Sequence, residues 1–119
     1  MGLTQIHGKL GENAACKYLK KQGYIIIARN YRKRFGEIDI IAKKEEMYIF
    51  VEVKTRADTE YGMACEAVTK SKQQKLIQTA KCYIMEEMLD AAFSFDVIEV
   101  YHKGRKVQKI HHIENAFYV

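Results

Sequence analysis

The sequence predicts a single α/β domain in which a mixed β-sheet packs against helices. Three observations support this fold class. The chain has 119 residues with 48% hydrophobic composition, two segments carry apolar residues at helical spacing, and the other apolar segments alternate as β-strands do. The predicted order is α-β-β-β-α-β-β. Because parallel strands need a crossover connection, strand one or three must pair with strand four across the second helix.

Helical spacing of apolar residues predicts helices at residues 5–22, with Gly23 as the C-terminal cap, and at residues 66–89. Strand one is predicted at residues 24–31 and leads into a basic loop at residues 32–35. A hairpin follows, with strands at residues 37–43 and 47–55, and then a looser segment at residues 57–63. The last two strands are predicted at residues 93–101 and 106–113, around a turn at Lys103 and Gly104.

The sequence lacks the patterns of a membrane-spanning protein, a secreted protein and a zinc-binding protein. No apolar run approaches the roughly 18 residues of a membrane span, and no apolar signal segment opens the chain, so we expect a cytoplasmic protein without membrane contact. Three cysteines without a C-x-x-C pair predict reduced thiols. Zinc is disfavoured as well, because the cysteines and histidines lack a recognised ligand spacing.

The positive charge of the chain is concentrated in its first half. The net charge is +5, and residues 1–56 hold 12 Lys and Arg against 6 Asp and Glu, whereas residues 57–119 hold 8 against 9. Arg29, Arg32, Lys33 and Arg34 form the densest cluster, with Tyr31 and Phe35 among them. Such a mixture suits a sugar-phosphate backbone, so we expect a nucleic-acid partner. Ordinary solvated surface charge is the alternative.

Hairpin geometry makes two carboxylates neighbours. With the turn at residues 45–46, antiparallel partners have numbers that sum to 91, which places Asp39 opposite Glu52. Glu37 then lies opposite Lys54, and alternation puts all four side chains on one face. Opposed carboxylates repel and raise each other's pKa, and a hard divalent ion relieves that conflict. The pair therefore predicts an Mg²⁺ or Mn²⁺ site with Asp39 and Glu52 as ligands.

Lys54 follows Glu52 by two residues and is predicted to lie on the same face of the strand. Its ammonium could hold an attacking water or stabilise negative charge on phosphoryl oxygens. The alternative is an exposed hairpin face on which Glu52 and Lys54 form a salt bridge and Asp39 is solvated.

Four short segments form a recognisable series, namely Gly11-Glu12, Asn30-Tyr31-Arg32, Gly36-Glu37-Ile38-Asp39 and Val51-Glu52-Val53-Lys54-Thr55-Arg56. In order and spacing they resemble the YraN-like family, small bacterial proteins regarded as endonucleases. That family is similar to the restriction-endonuclease-like superfamily and to archaeal Holliday junction resolvases. The resemblance implies a restriction-endonuclease-like core of order α-β-β-β-α-β, here with an extra C-terminal strand.

The resemblance also implies roles for single residues. Asp39 and Glu52 would bind metal, Lys54 would be the catalytic lysine, and Glu12 would reach the site from the first helix. Helical spacing agrees with the last point, since Glu12 shares a stripe with Ala15 and Leu19 and so borders the packed face. A solvated helix glutamate is the alternative for Glu12.

Five basic residues are candidate nucleic-acid contacts. Arg32, Lys33 and Arg34 come from the predicted basic loop, and the resemblance adds Arg56 and Lys72, for which surface charge alone is the alternative.

One position departs from the family, which tends to carry Arg before the aromatic-Asp pair of the fourth strand. Here the run is Ser94-Phe95-Asp96. A phosphate contact at position 94 is therefore not expected. We expect Asp96 to be structural, as a partner for a basic residue.

The predicted function is that of a metal-dependent endonuclease acting on DNA, with branched or repair and recombination intermediates as candidate substrates. The alternative is a non-catalytic nucleic-acid-binding module on the same fold. A protein-interaction domain without nucleic acid fits the basic first half poorly. Resolvase-like relatives pair as dimers, which leaves a homodimer open, with Phe117 and Tyr118 as apolar interface candidates.

Overall fold

The computed structural model describes residues 3–61 and 68–119, with residues 3–5 described by their backbone alone. The predicted order of elements is confirmed over these residues. The elements are α1 (Leu3–Lys21), β1 (Ile25–Lys33), β2 (Gly36–Lys44), β3 (Met47–Ala57), a short 3-10 helix (Asp58–Glu60), α2 (Lys70–Glu86), β4 (Ala92–Lys103) and β5 (Lys106–Phe117). Residues 62–63 of the predicted loose segment and residues 66–67 of the predicted second helix lie outside the described residues.

The five strands form one mixed sheet in the order β1-β2-β3-β4-β5. Strands β3 and β4 are parallel and the other neighbours are antiparallel. A crossover pairing of strand four with strand one or three was predicted, and the structure shows the pairing with strand three across α2, since a parallel pair needs a long connection. The fold is a mixed α/β domain with a five-stranded sheet and two helices.

One helix covers each face of the sheet. Ala15, Cys16 and Leu19 of α1 pack with one core cluster, which includes residues from β2, β3 and β4. Leu76, Ile77, Ala80 and Tyr83 of α2 pack with a second cluster on the opposite face. Each helix therefore buries an apolar stripe, as its sequence spacing predicts.

Several boundaries differ from the sequence predictions, three of them by more than a small shift at an element's end or with a consequence for the site. The basic loop predicted at residues 32–35 is wrong in extent, because Arg32 and Lys33 continue β1 and pair with β2, which leaves a two-residue turn. Helix α2 begins at Lys70, because the Thr69 side chain caps it by accepting the N–H of Lys72 at 3.2 Å. Strand β5 runs to Phe117, four residues beyond its predicted end.

Phe117 is not available as an interface residue. It is 8% exposed and stacks on Phe95 with the ring centroids 4.9 Å apart, so its prediction as an interface candidate is wrong. Apolar contact in the core accounts for the burial. Tyr118 is 77% exposed.

No helix among the described residues is long and apolar enough to cross a membrane. Cys16 and Cys82 are free thiols, as predicted, and Cys65 lies outside the described residues.

Candidate metal site and nucleic-acid interface

Strands β2 and β3 separate beside the predicted metal ligands. Their antiparallel ladder runs from Lys44–Met47 to Ile40–Val51, and these pairs confirm the predicted sum of 91. Beyond Ile40–Val51, β2 stays paired with β1 and β3 stays paired with β4. We call this point of separation the fork. Asp39 and Glu52 are the first residues past it on either side.

Past the fork, the side chain of Asp39 still connects β2 to β3. Its Oδ2 accepts the N–H of Val53 at 2.8 Å. Burial, with a further contribution from the Glu52 carboxylate, raises the pKa of Asp39 to about 8, although the Val53 N–H opposes the shift. Glu52 raises this pKa both by its negative charge and through a hydrogen bond between the two side chains. The predicted pairing of these carboxylates is therefore present in the fold, although no longer as a regular ladder pair.

This donor set fits a divalent cation. Glu52 helps to raise the pKa of Asp39, a conflict that a cation between the two half-buried carboxylates would relieve. Mg²⁺ binds through one or two carboxylates while keeping several waters. Within residues 3–61 and 68–119, no three Asp, Glu, His or Cys side chains are gathered as a preformed metal cage. Asp39 and Glu52 are thus the two protein ligands that this geometry offers.

Lys54 is half-buried on β3 and forms no ion pair with any described residue. Its neighbour across the sheet is Glu99 of β4. The Glu99 carboxylate is instead held by Arg56 at 3.2 Å and by His111 at 2.9 Å. The Lys54 ammonium is therefore left available beside Glu52.

Helix α1 places Glu12 beside the sheet. Gly11 contacts β3 so closely that a Cβ there would lie 2.1 Å from Oγ1 of Thr55. The Glu12 carboxylate is bound on its β1 side, where Arg29 donates to Oε1 at 3.0 Å and Asn30 donates to Oε2 at 3.0 Å. Its negative charge contributes to the raised pKa of Asp39 less than burial and Glu52 do. Glu12 is thus near the pair but not joined to it.

The alternation of β2 is interrupted at Asp39. Ile38 and Ile41 pack in the cluster under α2, whereas Ile40 packs in the cluster under α1. Asn30 lies across from Asp39 on β1, between two regular pairs, and has a φ of 54°. Asn is the residue, after Gly, that best tolerates this left-handed conformation. In the sequence Asn30 is recognisable only as part of a motif, and its contact with Glu12 was not predicted.

The interruption also affects Glu37. Its predicted opposition to Lys54 is wrong, because the β2–β3 ladder ends at Ile40–Val51 and Glu37 forms an ion pair with Arg32 of β1.

Four of the five predicted nucleic-acid contacts have carboxylate partners within the chain. Arg32 pairs with Glu37, Lys33 with Glu86, Arg56 with Glu99, and Lys72 with Glu52 at 3.4 Å. Arg34, in the turn after β1, forms no ion pair with a described residue. The pairs of Arg32 and Lys33 lower the net positive charge that the predicted basic loop presents to a ligand.

Asp96 has the structural role that was expected of it. Its carboxylate lies 2.7 Å from Nε2 of His112 and accepts the Ser94 hydroxyl at 2.6 Å. Nδ1 of His112 in turn lies 3.0 Å from the Tyr18 hydroxyl. Burial tends to raise the pKa of Asp96, but these hydrogen bonds and the backbone N–H of Asn115 outweigh it, so the pKa is lowered.

Comparison with known proteins identifies the family. A model of an uncharacterised protein family, UPF0102, matches residues 11–100. The chain belongs to the UPF0102 family. A UPF0102 protein of Alkaliphilus metalliredigens is 50% identical over 111 residues, covering 92% of this chain and 96% of that one. A UPF0102 protein of Clostridium acetobutylicum is 47% identical over 120 residues, covering 98% of each chain.

The part of the chain that matches the UPF0102 model contains the residues at the fork. Glu12, Asp39, Glu52 and Lys54 all fall within residues 11–100, and the β4–β5 turn and β5 fall outside this range.

Proposed function

We propose that this protein is a metal-dependent endonuclease that hydrolyses phosphodiester bonds in DNA, on a core of the restriction-endonuclease-like kind. One observation carries the proposal. Two carboxylates, Asp39 and Glu52, lie next to each other at a strand fork, and Lys54, which forms no ion pair with a described residue, lies beside Glu52. Lys72 pairs with Glu52, but Asp39 forms no ion pair with a described residue, so a charged Asp39 is unfavourable without a cation. Phosphate oxygens are ligands that Mg²⁺ favours.

The proposed division of labour follows from the positions of the side chains. Asp39 and Glu52 would hold Mg²⁺ or Mn²⁺, which when bound polarises a phosphoryl oxygen and lowers the pKa of a bound water. Lys54 donates hydrogen bonds to the attacking water or to the phosphoryl oxygens. The N–H of Val53 fixes one oxygen of Asp39 and leaves the other oxygen for a cation.

Two nearby residues have supporting roles in this proposal. Lys72 lies 3.4 Å from Glu52, so its ammonium neutralises that acid when no metal ion is bound. Its side chain is 48% exposed and can turn towards phosphate when a metal ion binds. Arg29 and Asn30 fix Glu12 close to the fork. Release of the Arg29 contact would allow Glu12 to turn towards Asp39.

A cleavage screen with Mg²⁺ and Mn²⁺ tests the proposal, with duplex, single-stranded, flapped and branched DNA as substrates. Asp39→Asn, Glu52→Gln and Lys54→Ala should each reduce the cleavage rate by at least about a hundredfold, which is the usual cost of losing a group that stabilises transition-state charge. Glu46→Gln is the matched control, because Glu46 is an exposed acid of the same hairpin, away from the fork.

Calorimetry with Mg²⁺ or Mn²⁺ gives a reading that is independent of cleavage. The wild-type protein should take up metal at millimolar concentration, and Asp39→Asn should not. Cleavage that persists in all three folded variants would contradict the proposal that Asp39, Glu52 and Lys54 form the active site.

The second candidate, a nucleic-acid-binding module without catalysis, is favoured by one feature, the attachment of Glu12 to Arg29 and Asn30. Salt-sensitive DNA binding without metal uptake would establish that function instead.

A further inference from the structure

The turn that joins β4 to β5 carries three positive charges in four residues. Lys103, Arg105 and Lys106 surround Gly104, and all four residues are exposed. The turn itself has two residues, and Gly104 supplies the positive φ, 60°, that such a tight hairpin requires. We call Lys103, Gly104, Arg105 and Lys106 the basic turn.

The charges of the basic turn are not balanced within the described protein. Lys103 and Lys106 are direct partners across the β4–β5 ladder, and like charges directly opposite each other destabilise a sheet. No ion pair joins Lys103, Arg105 or Lys106 to any residue of the described ranges. The cluster costs stability and is not offset by an acidic side chain, which is expected of a surface that meets an external anion.

The basic turn lies at the same end of the sheet as the fork. Strands β3 and β4 are parallel and in register from Met47–Ala92 to Ala57–His102, so the basic turn follows directly where both strands end. Glu52 is level with Val97, six residues before Lys103. At about 3.3 Å per residue along the strand and about 4.8 Å per strand across the sheet, the turn is roughly 20 Å from the fork.

The surface between the fork and the basic turn is also suited to a polyanion. Lys109 of β5 is exposed, and its ammonium lies 3.9 Å above the ring of Tyr61, which is itself 51% exposed. Tyr101 of β4 lies beside them, since it pairs with Lys109 across the ladder and its ring meets Tyr61 edge-on at 5.2 Å. Cationic and aromatic groups side by side are the usual means of holding a nucleic-acid strand.

We infer that the basic turn is a second anchor for a nucleic-acid backbone, separate from the turn after β1. A duplex with one phosphate at the fork would place its backbone at the basic turn about six base pairs away, since base pairs are stacked about 3.4 Å apart. The inference rests on the proposed function for the nature of the polyanion and does not depend on cleavage.

Fluorescence anisotropy with a labelled duplex of 24 base pairs, in a metal-free buffer over a series of salt concentrations, tests the anchor. The test variant is Lys103→Gln/Arg105→Gln/Lys106→Gln. Each lost phosphate contact reduces the slope of log affinity against log salt by about 0.9, so the slope should fall by about 2 to 3.

The matched control removes the same charge from another exposed surface, as Lys17→Gln/Lys20→Gln/Lys21→Gln in α1. These lysines lie near the C-terminal end of α1. Gly23, just after this helix, lies near Lys44, which is at the end of the sheet opposite to the basic turn. The slope of the control should change by less than about 1. Thermal unfolding should show that the test variant is no less stable than the wild type, because a like-charge contact is removed.

Two outcomes overturn the inference, and they are distinguishable from each other. If the wild-type protein binds DNA but the test variant keeps its slope, or loses no more than the control, the basic turn is not an anchor and the proposed function stands. If the wild-type protein does not bind DNA in any salt, both the anchor and the proposed function fail.

Discussion

Asp39 is held in an environment that disfavours its own charge. Its carboxylate is half-buried, lies beside Glu52, and accepts the N–H of Val53. Burial and the neighbouring acid raise its pKa to about 8. Without a cation, deprotonation of Asp39 must therefore reduce the stability of the folded protein.

The pH dependence of unfolding provides a test. Between the ordinary Asp pKa of about 3.9 and the folded value of about 8, the folded state holds a proton that the unfolded state has released, so stability falls as pH rises. Asp39→Asn should therefore unfold at a higher temperature than the wild type at pH 8.5 and at a similar temperature at pH 4. Millimolar Mg²⁺ should raise the wild-type value at pH 8.5 and leave the variant unchanged. A temperature difference that is the same at both pH values would contradict this explanation.

The sequence predicted the neighbours at the fork better than it predicted their surroundings. Asp39 and Glu52 could be paired because the hairpin turn and strand alternation determine the register. The left-handed conformation of Asn30 could not be predicted, because it depends on how β1 and β2 pack between two cores. The Glu12 contacts with Arg29 and Asn30 were missed for the same reason, since they join elements distant in sequence.

At the scale of elements, the contact between α1 and β3 determines where Glu12 lies. Gly11 has no side chain, and Thr55 of β3 occupies the space that a side chain would take. Glu12 is the next residue of the helix, so a displacement of α1 at Gly11 would also displace Glu12 relative to Asp39.

Gly11→Ala tests this contact. The new Cβ would lie 2.1 Å from Thr55 Oγ1 and 3.1 Å from its Cβ, so the helix or the Thr55 side chain must move. Overpacking of this kind costs about 1 to 3 kcal/mol in the free energy of unfolding. Gly8→Ala is the control in the same helix, because its Cβ would meet nothing within 4 Å, and it should leave the protein equally or more stable. Chemical denaturation measures both, and equal effects of the two substitutions would show that the contact at Thr55 is unimportant.

Element existence and order followed from the sequence because apolar periodicity was clear in all seven elements. Their ends were less predictable. Arg32 and Lys33 were assigned to a loop on the basis of charge, yet charged residues are accepted at the edge strand β1, where their side chains reach Glu37 and Glu86. The start of α2 is determined by the Thr69 cap, and the spacing of apolar residues does not indicate where such a cap lies.

At the scale of the whole molecule, one buried polar network connects α1, β4 and β5. Asp96 of β4 is 2% exposed and contacts His112 of β5, whose other ring nitrogen lies against Tyr18 of α1. In a buried site each of these groups needs its partners, since an unsatisfied polar group costs about 1 to 3 kcal/mol. The network therefore holds the edge strand β5 and helix α1 to the sheet.

Asp96→Asn should reduce the free energy of unfolding by about 1 to 3 kcal/mol at pH 7, because the charged acceptor of three hydrogen bonds is lost. The pKa of Asp96 is lowered in the folded state, so its stabilising effect is present above the unfolded pKa and disappears as pH falls through the folded value. Denaturation at pH 7 and below pH 3 measures the difference, which should be large at pH 7 and small in acid. A difference that persists in acid would point to packing instead of charge.

Formal charge along the sequence was a poor guide to the charge that a ligand meets. The first half carries the surplus of basic residues, yet Arg32, Lys33 and Arg56 are neutralised by acids within the chain. The second half has no surplus, and its basic turn has no acidic partner among the described residues. Only the fold determines which charges are paired.

The hydrogen bond from Val53 to Asp39 means that the protein contains its own spectroscopic probe. The amide proton of Val53 points at the carboxylate that a cation would use, so its NMR chemical shift must respond to every change of charge there. Protonation of Asp39, arrival of a metal ion and displacement by phosphate would each alter this resonance. Binding of an unlabelled ligand at the fork could thus be followed through the Val53 amide resonance, before any substrate has been identified.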